Sequence, residues 1–193
     1  MNSAVLTPLP VRAAAAGLTV RASATWPLST VDSEPAQLPG FVVSSFSPLV
    51  AQVAERCLRD RYGEPPGRPA TAVVVVSPLG DVTSAVHVAR AVDTGGRVGP
   101  LLFFQSVPNA VAGYVAARWG LTGPVVCLGS VDAGLAVAAL LIEDGDADEA
   151  LVILAEQGGT AGEADTATAL LVDLGLVALG SVDPGSVDLG TGG

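Results

Sequence analysis

Lysine is absent from the sequence, and histidine, cysteine and aromatic residues are rare. All nine basic residues are arginines, they are outnumbered by nineteen aspartates and glutamates, and the formal net charge is −10 over 193 residues. Contacts with phosphate groups need clustered lysine or arginine, so this charge argues against binding to nucleic acid. The same charge argues against an anionic membrane surface. We therefore expect an acidic protein that binds neither nucleic acid nor membranes.

The scarcity of cysteine and histidine argues against disulfide-linked and metal-dependent proteins. Cys57 and Cys127 lie far apart and form no CxxC pair, which favours reduced thiols and a cytoplasmic location. With His87 as the single histidine, a metal site is not expected. No cofactor is expected either, because the GxGxxG and GxxxxGK[ST] patterns of nucleotide binding are missing. Pro8 and Pro10 interrupt the region where a secretory leader would be apolar, and no run reaches the ~18 apolar residues of a membrane span.

The sequence does contain an alternation of strand and helix patterns. Half of the residues are hydrophobic but only 4% are aromatic, so the core has to be built from Val, Leu and Ala. Short β-branched or alternating runs predict strands, and apolar residues at helical spacing predict helices. Their order predicts an α/β fold with a mixed or mostly parallel sheet. The predicted strands lie at 17–26, 71–77, 124–128, 149–156 and 167–175, and the predicted helices lie near 50–61, 78–95, 110–119 and 133–143.

The predicted helix at 133–143 is the most apolar of these segments. Apolar side chains lie on every side of it, among them Leu135, Val137 and Leu140. A helix of this kind has to be covered on several sides. The sequence therefore predicts a layered sandwich with this helix inside it.

One long segment resembles a known family. It reads "FFQSVPNAVAGYVAARWGLTGP" from Phe103, followed by a short strand, a tight turn, an Ala/Leu-rich helix and "DGDADEALVILAE". This order resembles the N-terminal half of β-ketoacyl synthases, and more closely the ketosynthase-like subunits that lack the nucleophile. The resemblance extends from about residue 12 to 179 and is firmest over 100–156. It implies a thiolase-like layered sandwich, an α/β/α half with a mixed sheet and a buried helix, in a single domain over 1–179 with a Gly-rich tail at 180–193.

In active ketosynthases the strand after "GP" ends in an Ala-Cys-Ser-Ser-Gly type of turn, with the cysteine at the N-terminus of the buried helix. Here the turn reads "GSVDAGL" from Gly129. Counted from "GP", Asp132 takes the place of the cysteine; counted back from the helix, Val131 takes it. Neither side chain can form an acyl thioester, so no catalytic residue is expected at this turn. We expect the Asp132 carboxylate to cap the helix that follows.

The other candidate nucleophiles have less support. Cys127 lies inside the strand before the turn, where a thiol is buried and inert. Ser130 has no identifiable base. Active family members also use two histidines from a second, similar half that is not in this sequence, and His87 matches neither position.

The resemblance implies a non-catalytic subunit of the chain-length-factor type. Such a subunit pairs with an active ketosynthase in a heterodimer, shapes its acyl tunnel during polyketide or fatty-acid-type elongation, and meets acyl carrier protein only indirectly. Bulky residues expected to shape the tunnel are Phe103, Phe104 and Tyr114, although aromatic residues here also suit a core. The residues implied at the interface are Val125, Val126, Cys127, Leu128 and Gly129 on the strand, and Gln105, Ser106, Val107, Pro108 and Asn109 beside it.

Two alternatives stay open. The chain could be a split or degenerate synthase fragment that is active only in complex with a separate C-terminal half. It could also be a structural scaffold with a decayed site.

Overall fold

The computed structural model describes residues 7–29, 34–68, 70–158 and 164–175. These residues form a five-stranded sheet with helices on both faces. The helices are α1 (Leu9–Ala15), α2 (Phe46–Tyr62), α3 (Val82–Asp93), α4 (Pro100–Gln105), α5 (Pro108–Trp119) and α6 (Val131–Glu143), and the strands are β1 (Leu18–Trp26), β2 (Thr71–Val76), β3 (Val125–Leu128), β4 (Glu149–Glu156) and β5 (Thr166–Leu174).

The sheet has the strand order β1-β5-β4-β2-β3. Strand β2 pairs in parallel with β3 and β4, whereas β5 pairs antiparallel with β4 and β1. In this register Val75 of β2 lies beside Cys127 of β3 and Ile153 of β4. The sheet is therefore mixed, as predicted, and the carboxyl ends of β2, β3 and β4 lie at the same edge.

Alternate residues of β2 point to opposite faces of the sheet and join two separate cores. Val73 and Val75 pack with α2 and α5 on one face, and Val74 and Val76 pack with α1 and α6 on the other. Every residue of β2 is fully buried, which is what a short run of β-branched residues favours in a central strand. The result is the three-layer α/β/α arrangement that the sequence predicts.

Helix α6 is covered on one side only. Gly134, Leu135, Ala138 and Ala139 are buried against the sheet, but Leu140 is 52% exposed. The expectation that this helix is covered on several sides is not met within the single chain, because the described residues provide no layer beyond it. A further layer would have to come from outside these residues.

Two short helices escaped the sequence analysis. Helices α1 and α4 each begin with proline at one of their first two positions, and they have only 7 and 6 residues. So few residues cannot display a helical period, although the prolines are typical of helix starts. Residues 176–179 of the predicted domain, and its tail at 180–193, lie outside the described residues.

Glu55 joins α2 to α5. Its Oε2 accepts hydrogen bonds from Trp119 Nε1 at 2.8 Å and Arg118 Nε at 2.9 Å, and its Oε1 accepts one from Arg59 Nε at 2.8 Å. Burial by itself would raise the pKa of the Glu55 carboxyl. The hydrogen bonds from Arg118, Trp119 and Arg59 outweigh that cost and hold the pKa below its ordinary value.

The contact between α6 and β2 gives a first prediction. A Cβ added at Gly134 would lie 2.4 Å from Val76 Cγ2, which is itself fully buried. We expect Gly134→Ala to lower the free energy of unfolding by about 1–3 kcal/mol, because overpacking a dense core displaces backbone or rotamers. Urea denaturation measures the change.

The control is Gly113→Ala in α5, whose Cβ would have nothing within 4 Å, and which we expect to be neutral or to stabilise by up to about 1 kcal/mol. Equal losses in both variants would contradict the packing argument.

The Glu55 hydrogen bonds give a second prediction. Because the pKa of Glu55 is depressed in the folded protein, its stabilisation is complete above its ordinary value of 4.5 and is lost as the pH falls through the folded-state pKa. We expect Glu55→Gln to lower the free energy of unfolding by about 1–3 kcal/mol at pH 7, and the gap to the wild type to narrow at pH 3.

The control for that prediction is Glu64→Gln. Glu64 also pairs with Arg59, but its side chain is 73% exposed, so we expect a change below about 0.5 kcal/mol. Urea denaturation at both pH values makes the comparison. A gap between Glu55→Gln and the wild type that stays constant from pH 7 to pH 3 would show that charge is not the cause.

Candidate functional site

The turn between β3 and α6 is the site to which the sequence pointed. Ser130 is the N-cap residue with an extended backbone (φ −135°, ψ 136°), and its carbonyl accepts the Gly134 N–H at 2.9 Å. Its side chain makes no capping hydrogen bond. Val131, the first residue of α6, is half-buried and packs against the core between the sheet and α6. The position at the start of the helix is thus occupied by an apolar, unreactive side chain.

Asp132 does not cap α6 as expected. It lies within the first turn, its side chain is 84% exposed, and its Oδ1 accepts a hydrogen bond from Arg12 Nη2 of α1 at 2.5 Å. The carboxylate still lies near the positive end of the helix dipole, where it is favourable. Its partner is a guanidinium rather than a free backbone N–H, because the side chain points outward toward α1.

Cys127 is half-buried rather than fully buried in β3. It lines a small cavity of about 160 Å³ together with Ser77, Pro108 and Leu128. Burial raises the pKa of its thiol to about 11, and burial raises that of Cys57 to about 12. Both thiols are therefore protonated near neutral pH and are poor nucleophiles.

The predicted interface strand is an edge of the sheet. Strand β3 pairs with β2 on one side, and no strand of the described residues pairs with its other side. All four of its residues are half-buried. An edge strand with free N–H and C=O groups can pair with a strand of another chain. Pro108, at the start of α5, lies against its carboxyl end in the cavity that Cys127 lines.

The structure separates the three aromatic residues that the sequence grouped. Phe103 and Phe104 lie on α4 and are 65% and 72% exposed, while Leu102 and Gln105 point inward. Tyr114 lies on α5 and packs edge-to-face with Phe41 at 6.2 Å between ring centroids. It lines a groove of about 450 Å³ between α2 and α5, and neither Phe103 nor Phe104 lines that groove.

Other members of the predicted interface lie on or beside α4. Ser106 ends α4 and its Oγ donates to the Phe103 carbonyl at 3.3 Å, and Val107 precedes α5. Gln105 is only 5% exposed, and its buried Nε2 has no hydrogen-bond partner among the described residues. The predicted interface residues from Gln105 to Pro108 therefore run from the end of α4 to the carboxyl end of β3.

A polar cluster at the same sheet edge escaped the sequence analysis. Gln157, directly after β4, bonds to the first residues of α3 and to Ser45 before α2. Asp81 caps α3 by accepting the Ser84 N–H at 3.0 Å. The Asp-x-x-Ser spacing before an apolar-periodic run could have revealed the cap, but no local pattern marks Gln157.

A cavity of about 700 Å³ lies beside this cluster, near Trp26, Phe41, Ser45 and Asp165. It contains neither Val131 nor Asp132. Among the described residues there is no group of three or more His, Cys, Asp or Glu side chains that could hold a metal ion. No helix within the described parts of the chain is both long enough and apolar enough to cross a membrane.

Comparison with known proteins supports the fold. The sequence matches no protein-family model and no curated protein. Solved structures do match, among them the ketosynthase (ApeO) in complex with its chain length factor (ApeC) from Xenorhabdus doucetiae, with a TM-score of 0.63 and 19% identity over 82% of this chain and 79% of that chain. The ishigamide ketosynthase/chain length factor matches with a TM-score of 0.62 and 21% identity over 79% of this chain and 50% of that chain. A β-ketoacyl synthase from Burkholderia phymatum STM815 has a TM-score of 0.59 and 16% identity over 76% of this chain and 46% of that chain.

These likenesses establish the fold. The predicted ketosynthase-like, thiolase-like layered architecture, as found in ketosynthase and chain-length-factor structures, is confirmed. The chain spans about half the length of the second and third of these structures and about four-fifths of the first.

The protonated thiols give a third prediction. We expect no covalent acyl adduct when the purified chain is incubated with acyl carrier protein carrying a labelled acyl group, because neither the α6 turn nor Cys127 offers a thiolate. Intact-mass analysis makes the measurement. A stable adduct on Cys127 or Ser130 would contradict it.

Alkylation with iodoacetamide provides the control for reactivity. Because the pKa of Cys127 is about 11, the reaction should be slow at pH 7 and should accelerate about tenfold for each pH unit up to about pH 10. The Cys127→Ser variant identifies which thiol reacts. A fast, pH-independent reaction at Cys127 would show that its thiol is ionised.

Proposed function

We propose that this chain is a non-catalytic, ketosynthase-like subunit of the chain-length-factor type, which pairs with an active ketosynthase and shapes its acyl tunnel. The observation that carries the proposal is the start of α6, where Val131 and Asp132 offer no thiol. The sequence resemblance implies that ketosynthases carry their cysteine at this turn. The sheet and helices α1 and α6 pack together around this position. Retention of the scaffold without its nucleophile fits a subunit that binds rather than reacts.

The chemistry around the turn supports this reading. Asp132 is engaged by Arg12, and Val131 contributes to packing, so neither is free to act on a thioester. Cys127 carries a protonated thiol at neutral pH because burial raises its pKa to about 11. An acyl group would therefore be held and elongated on the partner's cysteine and not on this chain.

The distribution of charge supports a protein–protein interface at β3 and α4. Between Val98 and Val131 the only charged residue is Arg118, in a chain whose 193 residues include 28 basic and acidic side chains. The centres of protein interfaces are depleted in charged residues. The unpaired edge of β3 lies within this charge-poor segment and would pair with the equivalent strand of the ketosynthase.

The exposure of Phe103 and Phe104 supports a role in limiting chain length. Two phenylalanines that are 65% and 72% exposed are not part of the core of this chain, which removes the main structural explanation for them. On an interface beside β3 they would face the partner. Tyr114 packs against Phe41 on the α2 side instead, so we assign the tunnel to Phe103 and Phe104.

The remaining parts of the proposal follow from this pairing. Acyl carrier protein would deliver its cargo to the ketosynthase, so its contact with this chain would be indirect. The complex would act where carrier-bound acyl chains are elongated, in the cytoplasm.

Affinity purification from the native source tests the pairing. The tagged wild-type chain should retain a ketosynthase in a 1:1 complex, identified by mass spectrometry and sized by light scattering. The complex should condense acyl units, and the chain alone should not. Retention of no ketosynthase, or condensation by the chain alone, would overturn the proposal.

The tunnel assignment gives a fourth prediction. Phe→Ala removes most of a side chain and leaves a space that the surroundings refill only in part. One two-carbon unit of an extended chain needs about 2.5 Å of tunnel. We expect Phe103→Ala or Phe104→Ala, in complex with the ketosynthase, to lengthen the product by one or two units while turnover continues.

Product length is measured by mass spectrometry of the released chains. The control is Val42→Ala, which removes an apolar side chain that is 82% exposed and lies outside the proposed interface. Unchanged product length in both Phe variants, with only a lower yield, would mean that these residues do not line the tunnel.

A further inference from the structure

The cavity of about 700 Å³ lies at one edge of the sheet. Trp26 at the end of β1, Ser45 before α2 and Asp165 before β5 line it. Strand β4 ends at the same edge, because Glu156 pairs with Thr166 at the start of β5. Crevices outside the carboxyl ends of strands are common ligand sites in open α/β sheets, and a volume of this size suits a small molecule. Both the position and the volume of the cavity therefore fit a small-molecule site.

Asp165 holds its carboxylate in a fixed position in the wall of this cavity. Its Oδ1 accepts the Gly158 N–H at 3.0 Å, and its Oδ2 accepts a hydrogen bond from the Ser45 hydroxyl at 3.3 Å. Ser45 is held in turn by the buried Gln157, whose Nε2 donates to Ser45 Oγ at 2.6 Å. Each carboxylate oxygen can accept more than one hydrogen bond. The Asp165 carboxylate is therefore oriented in advance and can still bind a ligand.

The charged side chains in the wall of the cavity are of one sign. Glu34 and Asp165 are the only charged residues among the described residues that line it. All nine arginines lie in the described parts of the chain, and no ion pair there joins an arginine to either carboxylate. Asp132 and Asp173, by contrast, are paired with arginines. A cleft lined by charge of one sign attracts the opposite charge, so this cavity favours a cation.

Apolar side chains form much of the remaining wall. They include Trp26, Leu38, Phe41 and Pro48. A metal ion would make no use of these side chains, and a hard cation such as calcium needs about six to eight oxygen ligands. Within the described ranges, no group of three or more His, Cys, Asp or Glu side chains could hold such an ion. The lining therefore favours an organic cation, whose charged group meets the carboxylates while its apolar body packs on the apolar wall.

We propose that this cavity binds a small organic amine with an apolar body, whose ammonium group donates hydrogen bonds to Asp165. The inference goes beyond the function proposed above and does not depend on it, because binding of the amine requires no ketosynthase. Glu34, which is exposed, adds attraction for the cation. Gln157 is a positioning residue, because it holds Ser45 and, through Ser45, the Asp165 carboxylate.

Three indole compounds of similar shape and different charge test the proposal on the purified chain. The probes are tryptamine, tryptophol and indole-3-propionate, whose side chains end in an ammonium, a hydroxyl and a carboxylate group. Isothermal titration calorimetry at pH 7 measures their binding. We expect tryptamine to bind at millimolar concentration or below. The other two should bind at least about tenfold more weakly, because a hydrogen bond between charged groups is stronger than a neutral one.

Two substitutions in the cavity and one outside it locate the binding site. Asp165→Asn keeps the shape of the side chain and an oxygen for the Gly158 N–H, but it removes the charge. We expect it to weaken tryptamine binding at least about tenfold and to change tryptophol binding less than about twofold. Glu34→Gln alters an exposed side chain that makes no hydrogen bond within the described residues, and it should weaken tryptamine binding at least about threefold.

The matched control is Glu64→Gln. It removes the same charge from a side chain that is 73% exposed and lies outside the cavity, so it should change tryptamine binding less than about twofold. Equal losses in Asp165→Asn and Glu64→Gln would show that the net charge of the protein, and not this cavity, attracts the amine, which overturns the proposal.

The other outcomes are equally decisive. No binding of tryptamine by the wild type overturns the proposal, and so does equal binding of tryptamine and indole-3-propionate. If circular dichroism shows that Asp165→Asn is unfolded, Glu34→Gln decides, and unchanged tryptamine binding by that variant overturns the proposal. Displacement of tryptamine by magnesium chloride, but not by sodium chloride at the same ionic strength, would mean that the cavity holds a metal ion, which also overturns it.

Discussion

The burial of strand β2 on both faces is the constraint on which the rest of the structure depends. Its side chains are fully buried, so helices have to cover it from above and below. Gly134 lets the backbone of α6 lie close to Val76, where any side chain would push the helix away. The same contact fixes the first turn of α6, and with it the position of Val131. The geometry of the site thus follows from how closely one helix approaches one strand.

The sequence predicts most of the fold because its strands and longer helices carry regular patterns. The β-branched run of β2 and the helical spacing of α2 and α5 are local signals that the tertiary structure then uses. No local sequence pattern predicts how exposed a side chain is. Whether Phe103 is core or surface depends on what α4 packs against, and whether Asp132 caps a helix or meets Arg12 depends on a helix 120 residues away in sequence. The Gln157 bonds are equally non-local, so no pattern around that residue announces them.

On the proposed function, the start of α6 is a reactive site that has become a structural one without a change of fold. A helix N-terminus favours negative charge, which in a ketosynthase would favour a thiolate. In this chain the same field acts on the carboxylate of Asp132, which is paired with Arg12 and ties α1 to α6. Val131 adds apolar contact to the core beside it. The N-terminus of α6 therefore favours a negative charge here too, but the charge is a carboxylate that pairs with Arg12 and helps to hold α1 against α6.

Helices α2 and α3 are held to the rest of the protein in two different ways. Helix α2 buries its apolar side against β1, β4 and β5, and Glu55 adds charged hydrogen bonds to α5. Helix α3 is held by amide and carboxylate bonds at one end, which leaves its apolar side uncovered. Exposed apolar patches are typical of interaction sites, and any partner that binds only the folded form would stabilise that form by mass action. The sheet face that α2 and α5 cover is thus buried within the described residues, whereas α3 and the outer side of α6, where Leu140 is 52% exposed, leave apolar surface uncovered.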